Sequence, residues 1–476
     1  MSKVRPDLYV VLGLMLAVTV TVPTLSGGGF DGASRSAFVA LAGVLLLAAG
    51  LIDPNRAARA ARSPLAVTLL ALAALSAASA VWTVAIPSDA LRWGLVIGGY
   101  GAVVIASATI AERCGPWPIA AGIAVLAVAE AVIGLHAVAF HSLPDAERIV
   151  RAWQPGGTFE YPPALAILQV GALPILAVIA DRERPVFAGA AAASLVLAGA
   201  VLRLADSRLA LALAAVVLLA LLVRPPAGRR PRQSAVAAAL LVLAGGVVAP
   251  AILGGDVARG APGAGATGLA QIIGLAVVAG VAWPVVRRWK LPSAAALGTR
   301  PRFAALAVVT AVLAASVVAI TSAPAQPRAH PTPASALPGA PTSGVLHGRS
   351  DEWLAAIETW LDRPILGAGT GSYYVASSPH QTIARSLYAH NLPLELAAEL
   401  GVLGLVLGVL LYVSAGRTIA RALDDPAVWL VGPLVIAFLV SNLLDWTWHL
   451  AGLGAAWAAA CGALTAAARW SPAVSR

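Results

Sequence analysis

The run LYVVLGLMLAVTVTVPTL, residues 8–25, carries no charged side chain. At about 1.5 Å of helix per residue, a run of this length crosses most of a hydrocarbon core roughly 30 Å thick. Lys3 and Arg5 precede it, so a charged start meets an apolar run as in a leader. No small-residue cleavage site follows, and the run reads as an uncleaved first span. Similar runs recur to the end of the chain, starting near Leu8, Ala37, Leu65, Leu91, Trp117, Tyr161, Val186, Ser207, Ser234, Gly268, Phe303, Asn391, Val428 and Trp448. Adjacent runs can merge, so the expected fold is all-α: a polytopic membrane protein of about 12–14 transmembrane helices, with one large loop before the third-last span. Composition leads to the same class. Of 476 residues, 59% are hydrophobic and 11% charged, more apolar surface than a soluble domain can hide.

The loops give an orientation. With the N-terminus in the cytoplasm, 21 of the 32 Lys and Arg residues fall in inside segments, as positive-inside bias requires. Both termini are then expected in the cytoplasm. All seven histidines (His136, His141, His330, His347, His380, His390 and His449) fall in outside segments or near the outer end of a span. The net charge of +10 is thus a topological signal spread over short loops, and nucleic acid is not an expected partner. Cys114 and Cys461 offer neither a disulfide framework nor a metal spacing.

Three regions follow: a transmembrane bundle over 1–321, a large outer loop over 322–390, and C-terminal transmembrane helices over 391–476. Within the loop, 322–345 is a Pro/Ala-rich linker, while 346–390 reads as helical and carries the chemistry. Ser350 is placed to cap a helix in which Trp353, Ile357, Trp360 and Leu361 recur at helical spacing. Asp351, Glu352, Glu358 and Asp362 take its other face, and Pro364 ends it. Such a helix lies on the membrane surface or packs over the spans. Gly367, Gly369 and Gly371 follow, but without the preceding strand and following helix of a dinucleotide site.

The sharpest motif is His390-Asn391, nine residues, then Gly401-Val402-Leu403-Gly404. Upstream stand Arg349, Trp353 and the stretch Pro364-Ile365-Leu366-Gly367-Ala368-Gly369-Thr370-Gly371. Together they resemble the end of the large outer loop in the O-antigen ligase/polymerase family. Gly157-Thr158-Phe159-Glu160-Tyr161-Pro162-Pro163 is similar to that family's Gly-Thr-Phe-x-Asn-Pro-Asn stretch, with Tyr161 and Pro163 in place of the asparagines. Ser207-Arg208-Leu209 resembles its Ser-Arg-Gly, with leucine for glycine. The resemblance covers roughly Gly157 to Leu405.

It implies a membrane glycosyltransferase of the bacterial cytoplasmic membrane, active on the periplasmic or extracellular face. The implied donor is a glycan on undecaprenyl pyrophosphate; the acceptor is a lipid, glycan or protein. It further implies metal-independent transfer with no cofactor.

Elementary chemistry makes the same residues reasonable. A pyrophosphate leaving group calls for fixed cations, and a guanidinium offers a planar, permanently charged fork. Arg208 and Arg349 are the candidates, although an arginine at a span's edge can also snorkel to the headgroups. An attacking hydroxyl must lose a proton, and the histidine pKa of about 6.5 suits a general base; His390 is that candidate. His380 and Arg385, in the same loop, are further candidates for contact with glycan or phosphate. Asp445 either pairs with an essential arginine, orients His390, or sits as a solvated carboxylate in an aromatic belt. The rival class is a transporter or flippase of lipid-linked glycans, which would place polar residues near mid-membrane. Glu130 is the main mid-depth charge.

Overall fold

The computed structural model describes residues 6–149, 152–182, 184–223, 231–253, 264–287, 349–382 and 385–470. The expected eleventh span near Phe303, the linker 322–345, His330 and His347 lie outside them. The described fold is all-α, a polytopic membrane protein, with 11 helices long and apolar enough to cross a membrane and two shorter apolar ones. In chain order the helices are α1 (Pro6–Leu25), α2 (Gly32–Ile52), α3 (Pro54–Ala61), α4 (Pro64–Ala78), α5 (Pro87–Cys114) and α6 (Trp117–Phe140). A short antiparallel hairpin, β1 (Ala146–Ile149) and β2 (Ala152–Pro155), comes next, with Ala146 paired to Pro155. Then follow α7 (Pro162–Arg182), α8 (Pro185–Leu204), α9 (Arg208–Val223), α10 (Pro231–Leu253) and α11 (Ala264–Val286). The remainder are α12 (Arg349–Asp362), α13 (Tyr373–Ala376), α14 (Leu392–Arg421), α15 (Pro426–Ser441) and α16 (Ala451–Trp470).

Local sequence explains where these helices start. Proline opens α3, α4, α5, α8 and α15, where its missing N–H costs nothing and its φ is already helical. Side-chain caps supply the orphan donors: Asp31 for α2, Asp53 for α3, Ser63 for α4, Asn391 for α14 and Asp425 for α15. Two departures from the sequence reading are local. The short basic helix α3 and the hairpin lie in loops too brief to show a period. The last span begins at Ala451 rather than Trp448, because Thr447–His449 forms a separate 3-10 turn.

The chain divides into two compact units. The first comprises residues 1–119, 330–428 and 438–476; the second comprises 120–329 and 429–437. In the first, α16 and α5 are central, with 94% and 89% of their apolar windows buried, against 22% for peripheral α2. Their seam is aromatic: Tyr100 of α5 meets Trp457 of α16 edge-on at 6.4 Å, and Trp448 of the preceding turn meets both rings edge-on, at 5.2 and 5.9 Å. Such pairs contribute roughly 0.5–1.5 kcal/mol each beyond burial.

This unit has two polar ends. At one, Phe30 and residues 82–84, 364–382, 385–391 and 442–449 gather, joined by Val84 N–H to Ala368 O (2.9 Å) and Leu392 N–H to Asn442 O (2.7 Å), with Phe30 edge-on to Tyr388 at 6.5 Å. At the other, Tyr9 donates to Asp53 (2.7 Å), and Glu112 receives Arg59 (3.0 Å) and Arg469 (2.7 Å). These are called the histidine end and the arginine end.

In the second unit, α8 packs among α7, α10 and α11. Buried Glu130 of α6 accepts from the Thr158 amide (2.9 Å) and hydroxyl (2.6 Å). The Gly-Thr-Phe stretch is therefore a loop clamped on a carboxylate. Gly157 has φ +58°, and a side chain there would run into Glu130.

Candidate active site

The break that builds the histidine end lies in α14. Gly401 takes φ 65° and ψ −154°, interrupting the helix, and a Cβ there would run into the Ile365 carbonyl. Only glycine takes this backbone without strain. Through the gap, the Pro364–Gly371 loop bonds to the helix backbone: Val402 N–H to Pro364 O (2.8 Å), Ala368 N–H to Ala398 O (3.0 Å) and Gly369 N–H to Glu399 O (2.6 Å). Buried Glu399 accepts from the Tyr373 amide at 3.0 Å. The glycines of both motifs thus serve one joint, which fixes the loop between α12 and α14.

Helix α12 packs on α14 through Ala355, Ala356 and Thr359, which are buried, whereas Leu361 is 65% exposed. The apolar face read from Trp353, Ile357, Trp360 and Leu361 is therefore corrected: small residues make the close contact, since they let two helices approach. Arg349 starts the helix, so Ser350 lies in its first turn and does not cap it. The acidic face, read from the sequence only as the helix's other side, has bonding partners. It holds the loop: Asp351 accepts from Thr382 N–H (3.1 Å), and Glu358 and Asp362 take the two ring nitrogens of His380 at 3.2 and 2.8 Å.

The fourth acid, Glu352, reaches His390. Its Oε2 lies 2.8 Å from Nδ1, and both side chains are 19% exposed. Nδ1 also points to the Tyr388 carbonyl at 3.2 Å, with the carboxylate approaching off that axis. Both neighbours are acceptors only, so Nδ1 carries the proton, and the lone pair of a neutral ring is on Nε2. Burial works against charge on His390; Glu352, helped by Asp445, outweighs it and holds the imidazole pKa above its ordinary value, with Arg349 opposing. His390 itself is in the left-handed region, φ 50°, an uncommon choice for a residue with a side chain. Asn391 closes the corner by accepting from Leu394 N–H (3.1 Å) and donating to Leu443 O (3.1 Å).

Arg349 stands three residues before Glu352 on α12, and its guanidinium lies 3.9 Å from Asp445, whose side chain is 7% exposed. Of the readings for Asp445, the structure shows the pairing with arginine. At that distance the ion pair leaves guanidinium hydrogens for another acceptor.

Arg385 is exposed in the loop before His390. Arg208 belongs to the second unit, exposed at the start of α9, where Ser207 accepts from Ala210 N–H (3.3 Å). The sequence reading missed Glu352 as a partner of His390. A signal was available: Arg349 and Glu352 stand at i and i+3, one face of a helix.

The histidine end thus defines a class: a polytopic helical membrane protein carrying a histidine–carboxylate pair beside a partly paired arginine. Residues 264–409 match the family model described as O-antigen ligase, and this supports the resemblance to that family. The match includes Arg349, Glu352, His390 and the Gly401–Gly404 motif; Gly157–Pro163, Arg208 and Asp445 lie outside it. No curated protein matches the chain.

Proposed function

We propose that the protein is a glycosyltransferase of the O-antigen ligase type. It moves a glycan from undecaprenyl pyrophosphate to an acceptor hydroxyl at the outer side of the bacterial cytoplasmic membrane, by ligation or polymerisation. In this reading the acceptor is a lipid, glycan or protein, both termini are cytoplasmic, and transfer is inverting and metal-independent. His390 Nε2 takes the hydroxyl proton as the oxygen attacks the anomeric carbon. The bond from that carbon to the phosphate oxygen breaks on the opposite side, and its electron pair leaves on the pyrophosphate. Arg349 holds that developing charge, which fixed cations stabilise most where water is scarce; Arg208 is a further candidate for the same role on the strength of the resemblance. Arg385, His380 and Asp445 are placed around glycan and phosphate, Asp445 acting through Arg349.

The observation that carries the proposal is the setting of His390: Nδ1 faces the Tyr388 carbonyl at 3.2 Å and Glu352 Oε2 at 2.8 Å, which leaves Nε2 as the ring's acceptor. That is the arrangement a general base needs. Glu130, the charge a transporter reading would use, is spent on Thr158. The test is incubation of purified protein with lipid-linked oligosaccharide and a panel of acceptors. Transfer is expected from the wild type and lost in His390→Ala and Arg349→Ala; equal transfer by both variants overturns the reading. Cysteine labelling at Ser350 is expected from the outer side, and labelling only from the cytoplasm contradicts the topology.

A further inference from the structure

Beneath the His390–Glu352 contact lies a second histidine–carboxylate pair that the transfer chemistry does not use. Glu395, one turn into α14, is 4% exposed. One of its oxygens accepts from the Ala389 amide at 3.0 Å; the other meets His449 Nε2 at 2.6 Å. His449 is 7% exposed, and its Nδ1 is buried without a partner. Its ring stacks on Tyr388 with centroids 3.8 Å apart and meets Trp93 edge-on at 4.6 Å. The two residues preceding His390 are therefore each held by one member of the pair: Ala389 by its N–H, Tyr388 by its ring. The Tyr388 carbonyl in turn faces His390 Nδ1.

A buried histidine–carboxylate pair is a poor way to fill space. Apolar side chains of similar size commonly serve stability as well or better. What an apolar pair cannot supply is an acceptor for the Ala389 N–H, next to a residue with φ 50°. Without that acceptor, the corner loses a bond that holds its strained backbone in place. Among the described residues, the other charged or titratable groups that act on the pair are Glu399 one turn on, Tyr373, Tyr388, and Arg35, whose guanidinium lies 4.2 Å over the Trp93 ring.

We propose that Glu395 and His449 are positioning residues for the transfer reaction: they clamp Tyr388 and Ala389 and so hold the His390 imidazole against Glu352. This rests on the assignment of His390 as the base. Neither residue touches substrate, so their loss acts on turnover and leaves donor binding alone.

The test uses the full-length protein in detergent or vesicles, with lipid-linked oligosaccharide as donor. His449→Phe keeps the ring on Tyr388 and removes the bond to Glu395. Glu395→Gln keeps an acceptor for Ala389 and serves if the first variant folds poorly. For His449→Phe, kcat is expected to fall about tenfold, with donor KM within about twofold of wild type. The acid limb of its kcat–pH profile is expected to move to lower pH, because His390 loses its carboxylate. Glu395→Gln is expected to show the same changes, smaller. In the Glu352→Gln background, His449→Phe is expected to cost little more, since the contact it protects is already gone.

Unchanged kcat and pH profiles in both variants, a rise in KM alone, or full additivity with Glu352→Gln overturns the proposal. If the wild type transfers glycan and His390→Ala does not, such a result removes only the positioning role. If the wild type transfers nothing, the functional reading falls and this inference with it.

Discussion

The two polar ends of the first unit use the same residue types for different ends. At the arginine end every described contact closes: Glu112, 6% exposed, receives Arg59 and Arg469, whose NH2 also donates to the Arg59 carbonyl at 2.6 Å, and Asp53 binds both Tyr9 and Arg56. Those bonds tie α1, α3, α5 and α16 together. At the histidine end, the arginine is held at 3.9 Å from its carboxylate, the histidine has one nitrogen engaged and no partner for the other among the described residues, and the backbone at His390 is left-handed. A closed network is what stability requires. An open one, built on strained backbone, marks groups kept for a ligand or a reaction.

That contrast can be broken by mutation, and the effects should fall in order. His390→Ala should lower transfer on the order of 10²–10⁴-fold, the usual contribution of a general base, with thermal stability near that of wild type. Arg349→Ala should cost roughly 10²-fold in kcat, as loss of a group facing developing charge does, and Arg349→Lys should recover only part of it, because the planar fork is lost. Asp445→Asn should cost less, about tenfold, since it orients Arg349 and adds only a part of the negative charge that acts on His390. Glu112→Gln should be smallest for activity: turnover per folded molecule unchanged, with stability down by roughly 1 kcal/mol in a denaturation series. If Glu112→Gln abolishes transfer while Arg349→Ala does not, the assignment of the two ends is wrong.

Much of this was legible in the sequence because it rests on long patterns. Apolar runs gave the spans, each described one starting within a few residues of its expected place, and the loop charges separate the same two sets of residues that the ends collect. His390 and Arg349 stood out through spacing to glycines. The reason for that spacing did not: Gly401 is needed because Ile365 passes over a broken α14, a contact between segments 36 residues apart. Glu352 was hidden for the opposite reason. Its neighbours Asp351, Glu358 and Asp362 make the face look solvated, and only the return of the loop shows each acid bound to Thr382, His380 or His390. The Glu395–His449 pair joins α14 to the turn before α16, 54 residues away, and no local pattern announces it.

The central claim is that His390 is a base whose affinity for the proton is raised by Glu352. A histidine held above its ordinary pKa is protonated, and inactive as a base, until pH rises through that pKa, so kcat should increase with pH along an acid limb. Removing the negative charge lowers the pKa, so the limb should move to lower pH while the plateau falls about tenfold, the equivalent of ~1.4 kcal/mol. The direct measurement is the kcat–pH profile of wild type and Glu352→Gln under saturating donor and acceptor. The account predicts the limb of the variant at lower pH with a lower plateau; superimposed profiles, or a shift to higher pH, would contradict it.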